Sequence, residues 1–117
     1  MVIVLHGIPN CDTVRKARNW LQAQGLEYAF HDVRKEGISA AQASAWLAAL
    51  GWEQVINRKG TTWRGLDDAR KAAVRDNASA IALLLETPTV MKRPLLDVNG
   101  AVSVGFSDAQ FTTIFKK

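Results

Sequence analysis

The 117-residue chain has one cysteine, Cys11, within the stretch GIPNCDTVRKAR at residues 7–18. A cysteine sulfur acts as a nucleophile in its thiolate form. Cys11 lies between a short apolar run and a segment with helical spacing. Backbone N–H groups and the dipole at a helix start attract an anion. Arg15, Lys16 and Arg18 crowd the first turns, although cations there oppose the dipole and cost helix stability. Departures from a local rule mark functional or strained places. The competing reading is an inert, buried thiol, the ordinary state of a free cysteine. It leaves the basic helix start without a reason.

Spacing narrows the chemistry. A phosphatase-type anion loop carries an arginine at the sixth position after its cysteine, where this chain has Ala17. A dithiol redox motif needs a second cysteine at the third position, where Val14 stands. Cys11, His6 and His31 do not form a ligand cluster, so no metal is expected. What remains is a monothiol. Its oxidised or adduct form must be resolved by a thiol from outside.

These residues need elements to hold them. VIVL at 2–5 is β-branched and apolar and reads as a buried strand. Thr13 is the expected N-cap of a helix of about 12 residues, with Val14, Ala17 and Leu21 on its inner face and Gly25 just past its end. LEYAFHDV at 26–33 reads as a second strand, which gives a βαβ unit and a parallel pair. The middle is helical. SAAQASAWLAAL at 39–50 is capped by Ser39 and stopped by Gly51, and WEQVIN is a short turn of helix. RKGTTWRGL reads as a loop and DDARKAAVRDN as a helix with acids at its start. SAIALLLET is apolar nearly all round and is expected to be buried before Pro88 ends it. PLLDVNGAVSVGF is a hairpin turning at Asn99-Gly100, and SDAQFTTIFKK is a capped helix with Phe111, Ile114 and Phe115 on one face.

Composition sets the frame. A chain of this length with 48% apolar residues builds one core-bearing domain. MVIVLHGIPN has no basic lead, so no signal peptide is expected, and no apolar run approaches a bilayer span. A single cysteine excludes an internal disulfide framework and favours a cytoplasmic location. The net charge of +4 and pI near 9.6 are spread along the chain without a dense basic tract. Nucleic-acid binding is therefore not expected, whereas small anions suit the charge.

With GIPNC, NRKGTTWR at 57–64 and KRPLLD at 92–97 in this order, the sequence resembles the ArsC-like branch of the thioredoxin superfamily, and within it the YffB-type reductases. The resemblance runs end to end. It implies an α/β fold, thioredoxin-like β-α-β followed by β-β-α with a small mixed sheet. Residues 1–117 would form a single domain with a helical insertion at about 38–88. It also implies roles. Cys11 matches the nucleophile, Arg58 and Arg93 match arginines directed toward the thiol and a bound oxyanion, and Pro94 matches a cis proline. Arg15 is a further candidate for lining the pocket. The implied activity is glutathione-dependent thiol reduction, with glutathione as co-substrate. Arsenate reductases of the family carry a third oxyanion-binding arginine where this chain has Phe106, which favours a small thiol over arsenate and leaves weak arsenate reduction as an alternative. The related Spx regulators imply another, an RNA polymerase-binding protein without catalysis.

Overall fold

In the computed structural model, which describes residues 1–117, the chain runs β1 (Ile3–Gly7), α1 (Asp12–Ala23), β2 (Ala29–Asp32), α2 (Val33–Glu36), α3 (Ala40–Leu50) and α4 (Trp52–Val55). It continues through α5 (Thr61–Arg64), α6 (Asp68–Ala72), α7 (Asn77–Glu86), a 3-10 turn at Pro88–Val90, β3 (Leu95–Val98), β4 (Ala101–Val104) and α8 (Asp108–Phe115). The result is mixed α/β. Two units are formed, one from Met1–Asp32 with Arg93–Lys117, the other from Val33–Lys92. No helix is long and apolar enough to cross a membrane.

The first unit is built on a four-stranded sheet in the order β2-β1-β3-β4. β1 and β2 are parallel, as the intervening helix requires, and the other pairs are antiparallel. Alternation along β1 sends Ile3 and Leu5 into a core shared with Val14, Ala17 and Leu21 of α1, Leu96 of β3 and Phe111 of α8. A Schellman motif ends α1: Gly25 N–H donates to the Gln22 carbonyl at 3.0 Å and Leu26 N–H to the Leu21 carbonyl at 3.1 Å. Gly25 has φ +68°, a conformation costly for side chains with a Cβ. The hairpin turn has Asn99 at φ 53° and Gly100 at φ 92°, as a type I′ turn demands. α8 has eight residues, too few to persist alone. Phe111 anchors it. That ring is fully buried and packs edge-on to Trp20 at 5.5 Å and to Phe106 at 4.7 Å, a contribution on the order of 2–3 kcal/mol from burial alone.

The second unit is helical. Ser39 and Gln42 form a capping box at the start of α3, and Asp76 and Ser79 another at the start of α7. These two helices pack together. Asn77 links their ends: its Oδ1 accepts from Trp52 N–H at 3.0 Å and its Nδ2 donates to the Leu47 carbonyl at 3.2 Å. Residues 55–57 and 90–92 pair through an Ile56–Met91 antiparallel bridge.

Four local expectations change. Thr13 does not cap α1; Cys11 does, because its backbone is extended (φ −113°, ψ 125°) and its carbonyl accepts the first helical bond from Arg15. RKGTTWRGL contains the single turn α5. DDARKAAVRDN is not one helix: α6 covers Asp68–Ala72 and α7 begins at Asn77, since Asp76 adopts the extended conformation (φ −156°) from which it caps the next helix. α7 buries Ala80, Leu83 and Leu84 but exposes Leu85.

β1 meets α1 closely at Gly7. A Cβ there would lie 2.8 Å from Val14 Cγ2. Val14 is fully buried and β-branched, so its rotamer cannot give way. Gly7→Ala is expected to destabilise the chain by about 1–3 kcal/mol by overpacking. In a Val14→Ala background the added methyl should cost measurably less. Chemical unfolding of the two single variants and the double variant reads this coupling; additive effects would refute the contact as its cause.

Candidate functional site

Cys11 is half-buried at the N-cap of α1 and packs on the core between β1 and that helix. The nearby cations have other partners. Arg15 forms an ion pair with Asp12 on the exposed face of the first turn. Arg18 donates through Nε to the Tyr28 hydroxyl at 3.0 Å, with its guanidinium 4.1 Å over the Phe30 ring. Both arginines are thus tied to neighbouring groups, which offsets the helix-dipole cost of placing cations here. Lys16 lines an open cleft of about 350 Å³ with Asn19, Trp20, Phe106 and Asp108.

Arg93 and Pro94 belong to the same unit as Cys11, and the Arg93–Pro94 peptide is cis. The Pro94 carbonyl accepts from Gly105 N–H at 2.8 Å. That bond joins the start of β3 to the loop that carries Phe106.

Arg58 lies in the second unit, and its surroundings follow from the NRKG stretch. Asn57 N–H donates to the Val90 carbonyl at 2.8 Å, which fixes where the turn begins. Its side-chain Oδ1 accepts from Lys59 N–H at 3.2 Å, and its carbonyl accepts from Gly60 N–H at 3.2 Å. Gly60 packs closely on that side chain: a Cβ would sit 2.8 Å from Asn57 Nδ2. The turn presents Arg58 and Lys59 side by side. Lys92 joins them because its N–H donates to the Val55 carbonyl at 2.7 Å across the short bridge. Together with Glu53, Ile56 and Asn57 these cations line a cleft of about 140 Å³. Arg58 Nη2 is 3.6 Å from Glu53 Oε2, and its guanidinium stacks 5.1 Å over the Trp52 ring.

A pair of histidines was not singled out by the sequence. His6 on β1 and His31 on β2 are cross-strand neighbours, with Nδ1 atoms 2.7 Å apart and rings edge to face. One ring donates and the other accepts, so the bond needs at least one neutral imidazole. His6 is only 4% exposed. Burial, reinforced by His31 and opposed by Asp97, lowers its pKa from 6.5 to about 4. The available signal was register: parallel pairing sets these two positions side by side. Glu53 and Lys92 carried no such signal, because they meet the NRKG turn through tertiary pairing.

Comparison with known proteins shows the family of the chain. The ArsC family model matches residues 6–114. The chain is 44% identical to the YffB protein, whose structure superposes with a TM-score of 0.90 over 96% of this chain and 97% of that one. It is also 44% identical to an arsenate reductase (ArsC) related protein from Brucella melitensis, with a TM-score of 0.77 over 100% of this chain and 97% of that one. The global transcriptional regulator Spx of Streptococcus pyogenes is 22% identical, covering 99% of this chain and 87% of its own length.

The histidine pair generates a pH dependence. Because folding lowers the His6 pKa, the unfolded chain binds the extra proton between pH 6.5 and about 4. Stability from neutral His6 is complete above pH 6.5 and is lost as the pH falls toward 4, by up to roughly 3 kcal/mol. His6→Asn, which keeps a polar atom near Nδ1 without titrating, should flatten the stability profile in this range. Denaturant unfolding at steps from pH 7.5 to 4.5 tests it; parallel profiles for the two proteins would refute the assignment.

Proposed function

Because the chain belongs to the ArsC family, we propose that it is a thiol oxidoreductase of the cytoplasm that uses Cys11 as nucleophile and glutathione as co-substrate. The observation that carries the reading is the position of the chain's one cysteine at the N-cap of a 12-residue helix, where first-turn N–H groups and the dipole favour a sulfur anion. The Cys11 thiolate attacks the glutathione sulfur of a mixed disulfide. A Cys11–glutathione disulfide forms, the original S–S bond breaks, and the other thiol departs as thiolate to take a proton from solvent. A second glutathione thiolate then attacks the glutathione sulfur of that adduct. Oxidised glutathione leaves and the Cys11 thiolate returns. The net reaction converts one mixed disulfide and one glutathione into one thiol and one glutathione disulfide.

No second cysteine exists to resolve the adduct from within the chain, which is why an external thiol is required. Arg58 and Arg93 are assigned to anionic groups of the substrate, since planar guanidinium groups grip carboxylates and oxyanions through paired hydrogen bonds. Arg15 has a smaller part, being held by Asp12. Phe106 in place of a third arginine favours a thiol substrate over arsenate. A regulator reading has its own support in the similarity to Spx along nearly the whole chain. It would make the fold a binding platform, with RNA polymerase as the partner.

Turnover of a glutathione mixed disulfide separates these readings. The wild-type chain should reduce it, Cys11→Ser should fall to the uncatalysed rate, and Arg93→Gln should raise KM for glutathione more than it lowers kcat. Turnover surviving in Cys11→Ser would refute the mechanism. A wild-type chain without turnover that captures RNA polymerase would establish the regulator reading, and efficient arsenate reduction would overturn the preference for thiols.

A further inference from the structure

The NRKG cleft holds more positive charge than the assignment of Arg58 alone uses. Arg58, Lys59 and Lys92 converge on about 140 Å³ of space above the buried side chain of Ile56. The only carboxylate lining it is that of Glu53, 3.6 Å from Arg58. The local excess of cations over anions is therefore two. Backbone bonds build this arrangement: the Asn57 turn fixes Arg58 and Lys59, and the Val55–Lys92 bond fixes the third residue. Trp52 supports the guanidinium from below, and its own backbone is held by Asn77. Three cations gathered within one cleft repel each other, and a bound anion relieves that repulsion.

Glu53 partly supplies such an anion from within the chain. Its pairing with Arg58 is long, and both side chains are about half exposed or more (48% and 70%). Pairs of this kind contribute about 0–1 kcal/mol. An incoming carboxylate can displace Glu53 at little cost and gain the two lysines as well.

We propose that this cleft is a binding site for the carboxylate end of a small thiol substrate, in which Lys59 and Lys92 act with Arg58 and Glu53 is the resident competitor. The inference rests on the reading of Arg58 as an anion-binding residue. Glu53 thereby sets affinity and specificity: it keeps Arg58 oriented when the cleft is unliganded and raises the concentration of anion needed to fill it.

S-methylglutathione, whose sulfur is blocked and cannot react with Cys11, isolates binding from turnover. Titrated into the full chain and followed by backbone amide NMR, it should shift signals of Asn57, Arg58, Lys59 and Lys92. Lys59→Gln and Lys92→Gln should each weaken binding about two- to fivefold, the span of a partly exposed ion pair. Glu53→Gln should tighten it by a similar factor, and salt should reduce all these differences. Unchanged or weaker binding in Glu53→Gln, or shifts confined to other residues, would overturn the proposal. Sulfate competing at the same signals would extend the site to tetrahedral oxyanions, and sulfate failing to compete would confine it to carboxylates. The same titration on Cys11→Ser keeps the two readings apart. Cleft binding there without turnover in the wild type would retain this site and remove the reductase mechanism; turnover without cleft binding would do the reverse.

Discussion

The close contact of β1 with α1 is the constraint on which the thiol's position depends. Gly7 leaves no room for a side chain against Val14, so the strand end and the first helical turn meet almost backbone to side chain. Only a short loop then separates them, and its last residue, Cys11, becomes the helix N-cap. Val14, Ala17 and Leu21 hold the helix to the sheet along its length, so the N-cap is presented by a rigid element rather than by a mobile loop. A thiol built this way is positioned by packing on one side and is accessible on the other. Its half-buried state expresses that compromise.

The arginine-bearing turn is built by different physics. Side-chain and main-chain hydrogen bonds of Asn57 orient the NRKG backbone, with Gly60 packed closely on its side-chain amide. Local side-chain-to-backbone bonds of this type fix turns with few residues. The two-residue pairing with 90–92 then brings in Lys92. Positive charge is thus concentrated by a hydrogen-bonded frame, whereas the sulfur is placed by a hydrophobic one. The sheet itself carries a third kind of interaction, the part-buried His6–His31 bond, which ties the parallel strands together and needs at least one neutral ring.

The chain belongs to the ArsC family and is similar both to an arsenate reductase (ArsC) related protein and to a transcriptional regulator. A fold does not specify chemistry; the side chains set upon it do. The candidates in this chain are a lone thiol and arginines in two separate motifs.

Elements whose information is local were legible from the residues alone. The βαβ start followed from a β-branched run and an alternating segment flanking a helical repeat, the hairpin from Asn99-Gly100, the ends of α3 from Ser39 and Gly51, and the edge of α8 from Ser107. Caps and turns are decided by neighbours in sequence, so the sequence is enough. The motifs around Cys11, Arg58 and Arg93 were likewise visible as residue types. What each of them touches was not. Arg15 and Arg18 stood near the thiol in sequence, yet Asp12 holds one and Tyr28 with Phe30 holds the other. Thr13 matched a capping residue, but the first helical bond begins at Cys11. The partners of His6, the approach of Lys92 to the NRKG turn and the contact of Glu53 with Arg58 depend on strand register and on how distant backbone segments pair. Those choices are settled by the free energy of the whole fold, because a contact between residues far apart in the chain is formed only once packing has closed the loop between them.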